Sequence, residues 1–229
     1  MELEVQYIFR FADDRELRFP IRLDADGADQ VGPRDEPPPP WTRLDFHRCA
    51  HCPLQPEQTP LCPLAQALAQ PVRMLDGILS YDEVDVEVIT PERRILNHTT
   101  AQNGISAMMG LIIATSGCPH MAFLKPMARF HLPFATAAET LYRASTMYLL
   151  GQYFRQQQAL PAELGFRGLV AMYRNVETVN RAMAERLRAA GREDGTVNAL
   201  ILLDMYAKTL PLAVDEALQE LRPLYTAYL

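Results

Sequence analysis

The sequence predicts an α+β fold, because patterns typical of strands occupy the first part of the chain and patterns typical of helices occupy the rest. Residues 1–98 contain about five segments in which apolar and polar residues alternate, together with one helical segment. Residues 99–229 contain apolar residues at helical spacing, beginning with a segment that is apolar on nearly every side. We therefore predict one domain over residues 1–229, in which an N-terminal antiparallel sheet of about five strands and one helix packs against a C-terminal helical bundle.

The chain begins with a predicted β-hairpin. Apolar and polar residues alternate over residues 3–11 and again over 16–23, and a short acidic turn separates the two segments. Pro20 lacks the N–H that a central strand needs, so the second strand is expected at a sheet edge or at a bulge.

A Pro-rich loop over residues 24–40 follows the hairpin and ends in four consecutive prolines. Such a run forms a stiff polyproline segment, and we interpret it as a rigid loop in preference to a docking segment for a partner. Alternation then predicts a third strand at 41–47, which leads into a cluster of cysteines. Residues 63–79 carry leucines on one face of a helix, and 84–89 and 93–98 alternate as two further strands.

The second part of the chain is predicted to be helical. Residues 99–102 fit a capping box at the start of its first helix, and Gly117 fits the end of that helix. Proline is expected to kink or break a helix at Pro71 and at Pro211. The predicted helices span 101–116, 121–131, 135–158, 166–190, 196–210 and 214–225.

Composition and charge exclude several classes of function. The formal net charge is −6, so no general attraction to nucleic acid or to acidic membranes is expected. The longest nearly apolar run, 105–115, is far shorter than the roughly 20 residues that a membrane span needs. The first residues lack the basic and apolar regions of a secretory signal. We therefore expect a cytoplasmic protein that binds neither nucleic acid nor membrane, with another protein or a second copy of itself as its partner.

All four cysteines of the chain are candidate metal ligands: Cys49, Cys52, Cys62 and Cys118. Two residues separate Cys49 from Cys52, a spacing that lets one tight turn direct two sulfurs to the same ion. Thiols stay reduced in the cytoplasm, so this motif is more typical of a metal or redox site than of a disulfide. Cys62 and Cys118 would complete the four thiolates that bind zinc or an iron–sulfur cluster.

Three of these cysteines, Cys52, Cys62 and Cys118, are each followed by proline. Proline is favoured at the first position of a helix, which places the preceding residue at the N-cap. A thiol at this position faces unpaired N–H groups and the positive end of the helix dipole, and both stabilise the thiolate that binds metal. We predict a helix or a helical turn directly after Cys62 and after Cys118.

Zinc is the predicted metal, with an iron–sulfur cluster as the alternative. Four thiolates suit both, and the Cys-Pro pairs are also found at iron–sulfur clusters. His47, His51 and His120 lie close to the cysteines and are rival ligands, because sites of three cysteines and one histidine also bind zinc. His98 and His131 are interpreted as ordinary hydrogen-bonded residues.

The cysteine motifs resemble those of an uncharacterised bacterial family. They read Phe-His-x-Cys-x-x-Cys-Pro-Leu at 46–54, Cys-Pro at 62–63 and Thr-Ser-Gly-Cys-Pro-His at 115–120, followed by Lys-Pro-Met-Ala-Arg-Phe-His-Leu-Pro-Phe at 125–134. The resemblance extends over about 41–154. It implies a bacterial, cytoplasmic protein and implies no particular reaction or substrate.

Basic residues after the last cysteine form a second group of polar side chains. Lys125, Arg129 and His131 lie within an otherwise apolar stretch. They could form a pocket for an anion, but we predict salt bridges to Glu139 or to Asp204 instead, because a buried acid usually has a basic partner.

Three hypotheses about function follow from these observations. The favoured one is a non-catalytic cytoplasmic protein that binds zinc or an iron–sulfur cluster through its four cysteines and has an accessory, sensory or regulatory role. The second is a thiol redox enzyme in which Cys118 is the nucleophile and His120 lies nearby. The third is a metal-free interaction module that uses the Pro-rich loop and its helical faces. The sequence contains neither a Gly-rich phosphate loop nor a His-Glu-x-x-His motif, so it gives no indication of another enzyme class.

Overall fold

A five-stranded antiparallel sheet forms the N-terminal part of the computed structural model, which describes residues 2–24, 28–32, 37–191 and 195–229. The strands are β1 (Glu2–Phe11), β2 (Glu16–Asp24), β3 (Gln30–Val31), β4 (Glu83–Ile89) and β5 (Arg94–Thr100). Their order in the sheet is β3-β2-β1-β4-β5, so β1 lies at the centre. The predicted hairpin and the two strands before residue 100 are confirmed.

The central strand has deeply buried side chains on the face that meets the helices. Tyr7 and Phe9 of β1 are completely buried, and the ring of Phe9 packs edge-on against Phe19 of β2 with the ring centres 5.6 Å apart. Pro20 pairs with β1 only, because β3 pairs with residues 22–23 of β2. The prediction of an edge position for Pro20 is therefore confirmed.

Seven helices follow the sheet in the described part of the chain, which confirms the predicted α+β fold. The α-helices of the described residues are α1 (Pro63–Met74), which precedes β4, and α2 (Ala101–Ala114), α3 (Lys125–Arg129), α4 (Ala137–Gln157), α5 (Arg167–Ala189) and α6 (Gly195–Leu221), which follow β5. Short 3-10 helices lie at Pro40–Thr42, Ala122–Leu124 and Arg222–Tyr228. None of the described helices combines the length and the apolar character that crossing a bilayer requires.

Helix α2 joins the sheet to the other helices. It contacts β4 and β5 on one side and α1, α3 and α6 on the others, as its apolar character all round predicts. One continuous cluster of buried residues contains side chains of both the sheet and the helices. This core agrees with a single domain over residues 1–229, which stays a prediction.

The predicted strand at 41–47 is wrong. This segment contains the end of a 3-10 helix, a single bridge between Arg43 and Leu61, and a turn. Thr42 and Leu44 are buried and Phe46 is half-buried, while residues 43, 45 and 47 are exposed, so burial does alternate from residue 42 onward. The buried residues of this segment lie in the 3-10 helix and the turn and are not paired as a strand.

The third strand of the sheet lies inside the loop that was predicted at 24–40. Residues 30–31 pair with residues 22–23 of β2, and the N–H of Gln30 donates to the carbonyl of Thr115 at 2.9 Å. Two residues are too few to leave a recognisable pattern in the sequence. Residues 25–27 and 33–36 of the predicted loop lie outside the described residues.

Several predicted helix boundaries are also wrong. Helix α1 continues through Pro71, and α6 runs through Pro211 where two separate helices were predicted. Because α6 packs along α2 and α5, tertiary contacts outweigh the one hydrogen bond that a proline removes. The strand-rich part ends at Thr100 instead of residue 98, and Thr100 makes no side-chain cap for α2. The side chain of Gln102 donates instead to a carbonyl of α6, at 3.3 Å.

Gly104 allows α2 to approach the sheet, and its replacement by alanine tests this contact. A Cβ atom at Gly104 would lie 2.8 Å from both Phe9 and Val86, whereas one at Gly110 of the same helix would lie 3.7 Å from Leu203. Both substitutions gain about 1 kcal/mol of helix propensity. We expect Gly104→Ala to be less stable than Gly110→Ala by about 1–3 kcal/mol because of overpacking. Urea unfolding measures the difference, and equal stability of the two variants would contradict the close approach.

Candidate metal centre

All four cysteines line one small cavity with a volume of about 20 Å³. The cavity lies between the loop that carries Cys49 and Cys52, the start of α1 at Cys62, the turn at Cys118, and helix α5. Each cysteine is half-buried and none forms a disulfide. The fold therefore brings together sulfurs that are far apart in the sequence.

Backbone hydrogen bonds hold the first three cysteines in place. The N–H of Cys62 donates to the carbonyl of Thr42 at 2.8 Å, which closes the loop between these two residues. Within the loop, the N–H of Cys52 donates to the carbonyl of Cys49 at 3.1 Å and forms a tight turn. Arg48 donates from Nη2 to the carbonyl of Cys52 at 3.0 Å. The predicted turn at this pair is confirmed.

The prediction of a helix directly after a Cys-Pro pair is confirmed at Cys62, which is the N-cap of α1 with Pro63 in the first turn of the helix. After Cys118 there is a hydrogen-bonded turn, in which the N–H of Met121 donates to the carbonyl of Cys118 at 3.0 Å, and a 3-10 helix begins only at Ala122. Burial raises the pKa of Cys118, and the N–H groups of His120 and Met121 oppose this rise. These N–H groups thus offset part of the cost of a thiolate at Cys118.

A buried arginine beside the thiols was missed by the sequence analysis. Arg186 on α5 is only 2% exposed. Its Nη1 donates to the carbonyls of Trp41 and Arg43, both at 2.6 Å, and its guanidinium carbon lies 5.9 Å from the ring centre of Phe46. Its positive charge acts on three of the four cysteines.

The spacing of residues on α5 is the one signal that could have identified Arg186. Val179 and Met183 are buried, and Arg186 follows them at helical spacing on the same stripe. Arg188, two residues later, is exposed. A charged residue on an apolar stripe indicates a buried charge with specific partners, but the partners cannot be read from the sequence.

Two of the thiols have raised pKa values. Burial raises the pKa of Cys49 to about 12, and the negative charges of the neighbouring cysteines add to this effect. Burial also raises the pKa of Cys118 to about 11, again with contributions from neighbouring cysteines. The positive charge of Arg186 opposes the rise at Cys49. Without a cation among the sulfurs, these two thiols stay protonated at neutral pH.

Two of the three histidines near the cysteines, His51 and His120, make hydrogen bonds and a stacking contact. The rings of His51 and His120 are stacked with their centres 3.9 Å apart. Because a carbonyl can only accept, Nε2 of His120 donates to the carbonyl of His51 at 2.9 Å, and Nε2 of His51 donates to that of Asn175 at 3.3 Å. His47 and His120 line the cavity together with the cysteines. These two histidines therefore remain candidates for alternative ligands.

The four thiols are suitable ligands for a metal ion, although their side chains are not arranged around one. Among the residues that the structure describes, no three histidine, cysteine, aspartate or glutamate side chains are already arranged as ligands. Four thiols nevertheless form the set that zinc takes at about 2.3 Å. The fold places these four thiols at one cavity.

The salt bridges predicted for the second group of polar residues are not the ones that form. Lys125 pairs with Asp29 at 2.6 Å, and Asp204 pairs with Lys208 at 2.5 Å. Glu139 closes a capping box at the start of α4. Each acid thus takes a partner that is close in the fold or one helical turn away, and the predicted partners were wrong.

The comparisons with known proteins identify the family. A family model described as a domain of unknown function (DUF6901) matches residues 5–226. The chain belongs to this family. The predicted membership of an uncharacterised family is thereby confirmed, and the bacterial origin stays a prediction. No curated protein and no solved structure matches this DUF6901 chain.

Replacement of Arg186 by methionine is expected to destabilise the DUF6901 fold. The carbonyls of Trp41 and Arg43 would lose their buried donor, which costs about 2–5 kcal/mol. Arg188→Met is the matched control, because Arg188 lies on the same helix and is exposed. The free energy of unfolding of Arg188→Met is expected to stay within about 0.5 kcal/mol of the wild-type value. Urea unfolding compares the two variants, and equal losses would contradict the role assigned to Arg186.

Alkylation of the metal-free protein tests the raised pKa values. Cys49 and Cys118 are expected to react with iodoacetamide at least about tenfold more slowly at about pH 8 than in the urea-unfolded chain, where the thiol pKa is about 8.5. The rate should continue to rise above about pH 9, since burial keeps the thiolate scarce below the raised pKa. Mass spectrometry of each cysteine peptide follows the reaction. Fast alkylation of Cys118 at neutral pH would contradict the expectation and favour an activated nucleophile.

Proposed function

We propose that the four cysteines hold one zinc ion that stabilises a non-catalytic cytoplasmic protein with an accessory, sensory or regulatory role. The observation that carries the proposal is the common cavity lined by Cys49, Cys52, Cys62 and Cys118. Four thiolates complete the tetrahedral coordination of zinc and leave no open position for a substrate, which is typical of structural sites. The protein would then act through another protein or through a second copy of itself.

The electrostatic surroundings of the cavity support an anionic centre. Four thiolates around a Zn²⁺ ion leave an excess of negative charge, which needs nearby positive groups when it is buried. Arg186 provides a full positive charge close to Cys49, Cys52 and Cys62. The N–H groups after Cys118 and the positive end of α1 at Cys62 add partial charges. Both kinds of group stabilise thiolates that bind metal.

The size of the cavity favours zinc over an iron–sulfur cluster. A cavity of about 20 Å³ is close to the roughly 10–15 Å³ that one water molecule requires. A single ion fits such a space, whereas a cluster of several iron and sulfide ions needs a larger one. An iron–sulfur cluster is the second candidate, because Cys-Pro pairs are also found at such clusters.

The raised pKa of Cys118 argues against the thiol redox enzyme. An activated nucleophile needs a lowered thiol pKa, and burial raises that of Cys118 to about 11. A bound cation would reverse this effect, because it stabilises all neighbouring thiolates together. The thiols are therefore better suited to metal binding than to nucleophilic attack.

Elemental analysis of the purified protein tests the proposal. We expect one zinc ion per chain, and we expect its removal by a chelator to lower the thermal midpoint, because binding energy contributes to folding. Absorbance near about 400 nm with bound iron would overturn zinc in favour of the cluster. Folded protein without any bound metal would overturn the metal site itself.

Single substitutions identify the ligands. Cys62→Ser and Cys118→Ser are each expected to lower zinc affinity by roughly 10–100-fold or more in a chelator competition assay. His98→Ala is the control, because His98 is exposed and bonds to Asp85 at 2.8 Å on the sheet. Its zinc affinity should equal that of the wild type. If Cys118→Ser keeps wild-type affinity while His120→Ala loses it, the fourth ligand is the histidine and the four-thiolate assignment is wrong.

A further inference from the structure

A second and much larger cavity lies between the helices, with a volume of about 470 Å³. Helices α2, α4, α5 and α6 and the loop between α3 and α4 form its walls. It shares no lining residue with the cysteine cavity, so it is a separate site. Pockets for small organic molecules have volumes of about 300–1,000 Å³, and this cavity falls in that range.

Most of the cavity wall is apolar. Leu111 of α2, Val176 of α5 and Leu203 of α6 line it from three sides. Phe134, in the loop before α4, lines it with a backbone φ of 60°, which is unfavourable for a non-glycine residue. Such a conformation persists only where the surroundings hold it, and it is more frequent at binding sites. The body of a ligand in this cavity would therefore be apolar.

Among the described residues that line the cavity, one is charged, and this is Arg143 of α4. Its Nη2 donates to the carbonyls of Met127 at 2.8 Å and Phe130 at 3.0 Å, which hold the guanidinium in place. Glu139, one turn earlier, is occupied with Thr136, from which it accepts two hydrogen bonds at 2.7 and 2.9 Å. Within the described part of the chain, no carboxylate forms an ion pair with Arg143. Glu139 interacts with Arg143 electrostatically without forming such a pair, so the guanidinium can still pair with an anionic ligand.

Two buried polar side chains of α5 complete the polar part of the cavity. Tyr173 is 6% exposed and Asn180 is 3% exposed, and both line the cavity. Among the described residues, neither of their polar groups is a fully buried atom that lacks a partner. Tyr173 and Arg143 are close enough for each to affect the pKa of the other. The hydroxyl of Tyr173 and the amide of Asn180 can donate hydrogen bonds, so a ligand with acceptor atoms would be stabilised by both side chains.

His131 adds a neutral group to the same site. Burial lowers its pKa to about 3, and the positive charge of Arg143 contributes. Its Nε2 shares a hydrogen bond of 2.5 Å with the hydroxyl of Tyr7 on β1. Lys125 and Arg129, for which an anion pocket with His131 was the less favoured alternative to salt bridges, do not line the cavity. The site therefore contains a single positive charge among neutral hydrogen-bonding groups.

We propose that this cavity binds a small carboxylic acid with an apolar body, whose carboxylate pairs with Arg143 and bonds to Tyr173 or Asn180. A carboxylate carries one negative charge, which Arg143 alone can neutralise. A phosphate would bring a second charge into an apolar cavity without a partner, which is unfavourable. The site is independent of the zinc proposed for the cysteines.

Calorimetric titration with three ten-carbon probes tests this inference on the protein as purified. Decanoate is expected to bind at least about tenfold more tightly than decanol, because only the carboxylate pairs with Arg143. Decyltrimethylammonium, with the opposite charge, is expected to bind more weakly than decanol. If decanol binds as tightly as decanoate, or if neither binds, the inference is overturned.

Variants separate the charge of Arg143 from general effects on the fold. Arg143→Gln is expected to weaken decanoate binding by about tenfold and to leave decanol binding unchanged. Arg129→Gln is the matched control, since Arg129 lies over the ring of Phe130 and outside the cavity. Tyr173→Phe keeps the ring and is expected to weaken decanoate binding severalfold, which provides a test if Arg143→Gln does not fold. Equal decanoate affinity in Arg143→Gln and the wild type would overturn the assignment.

Discussion

The buried guanidinium of Arg186 is the contact on which the cysteine cavity depends. A charge that leaves water needs acceptors in fixed positions, and the carbonyls of Trp41 and Arg43 provide them at 2.6 Å. These two residues directly precede the loop that carries Cys49 and Cys52. The hydrogen bonds therefore hold the start of this loop against α5, where the turn at Cys118 also arrives. A second contact between this loop and α5 is the hydrogen bond from His51 to the carbonyl of Asn175.

Helix α5 also forms a wall of both cavities. Val179 and Met183 line the cysteine cavity, while Val176 and Asn180 line the larger one. Neighbouring residues on a helix point in directions about 100° apart, so one helix can present different faces to two sites. Because helix interfaces are closely packed, neither wall can shift without affecting the packing of the other. The two sites are thus separate in their lining residues and connected through a single rigid element.

Strong local patterns predicted most of the fold and the ligand types. The hairpin, α2, α4 and α5 follow long periodic segments, and the Cys-x-x-Cys spacing indicated a metal site by itself. The predictions failed where tertiary contacts determine the local structure. The alternation at 41–47 reflects burial in turns, and Pro211 lies inside a helix that other helices support. Arg143 and Arg186 were not recognised, because their partners are backbone carbonyls of segments outside their own helices, which the sequence does not reveal.

The sequence by itself determined the periodicities of the main strands and helices, the N-cap position of Cys62 and the chemical identity of the possible ligands. These properties depend on neighbours within a few residues, which the sequence contains directly. Only the tertiary structure decided that Cys118 shares a cavity with the other three cysteines and that Arg143 lines a second cavity. Both depend on contacts between distant segments, which form when the chain buries its apolar faces together.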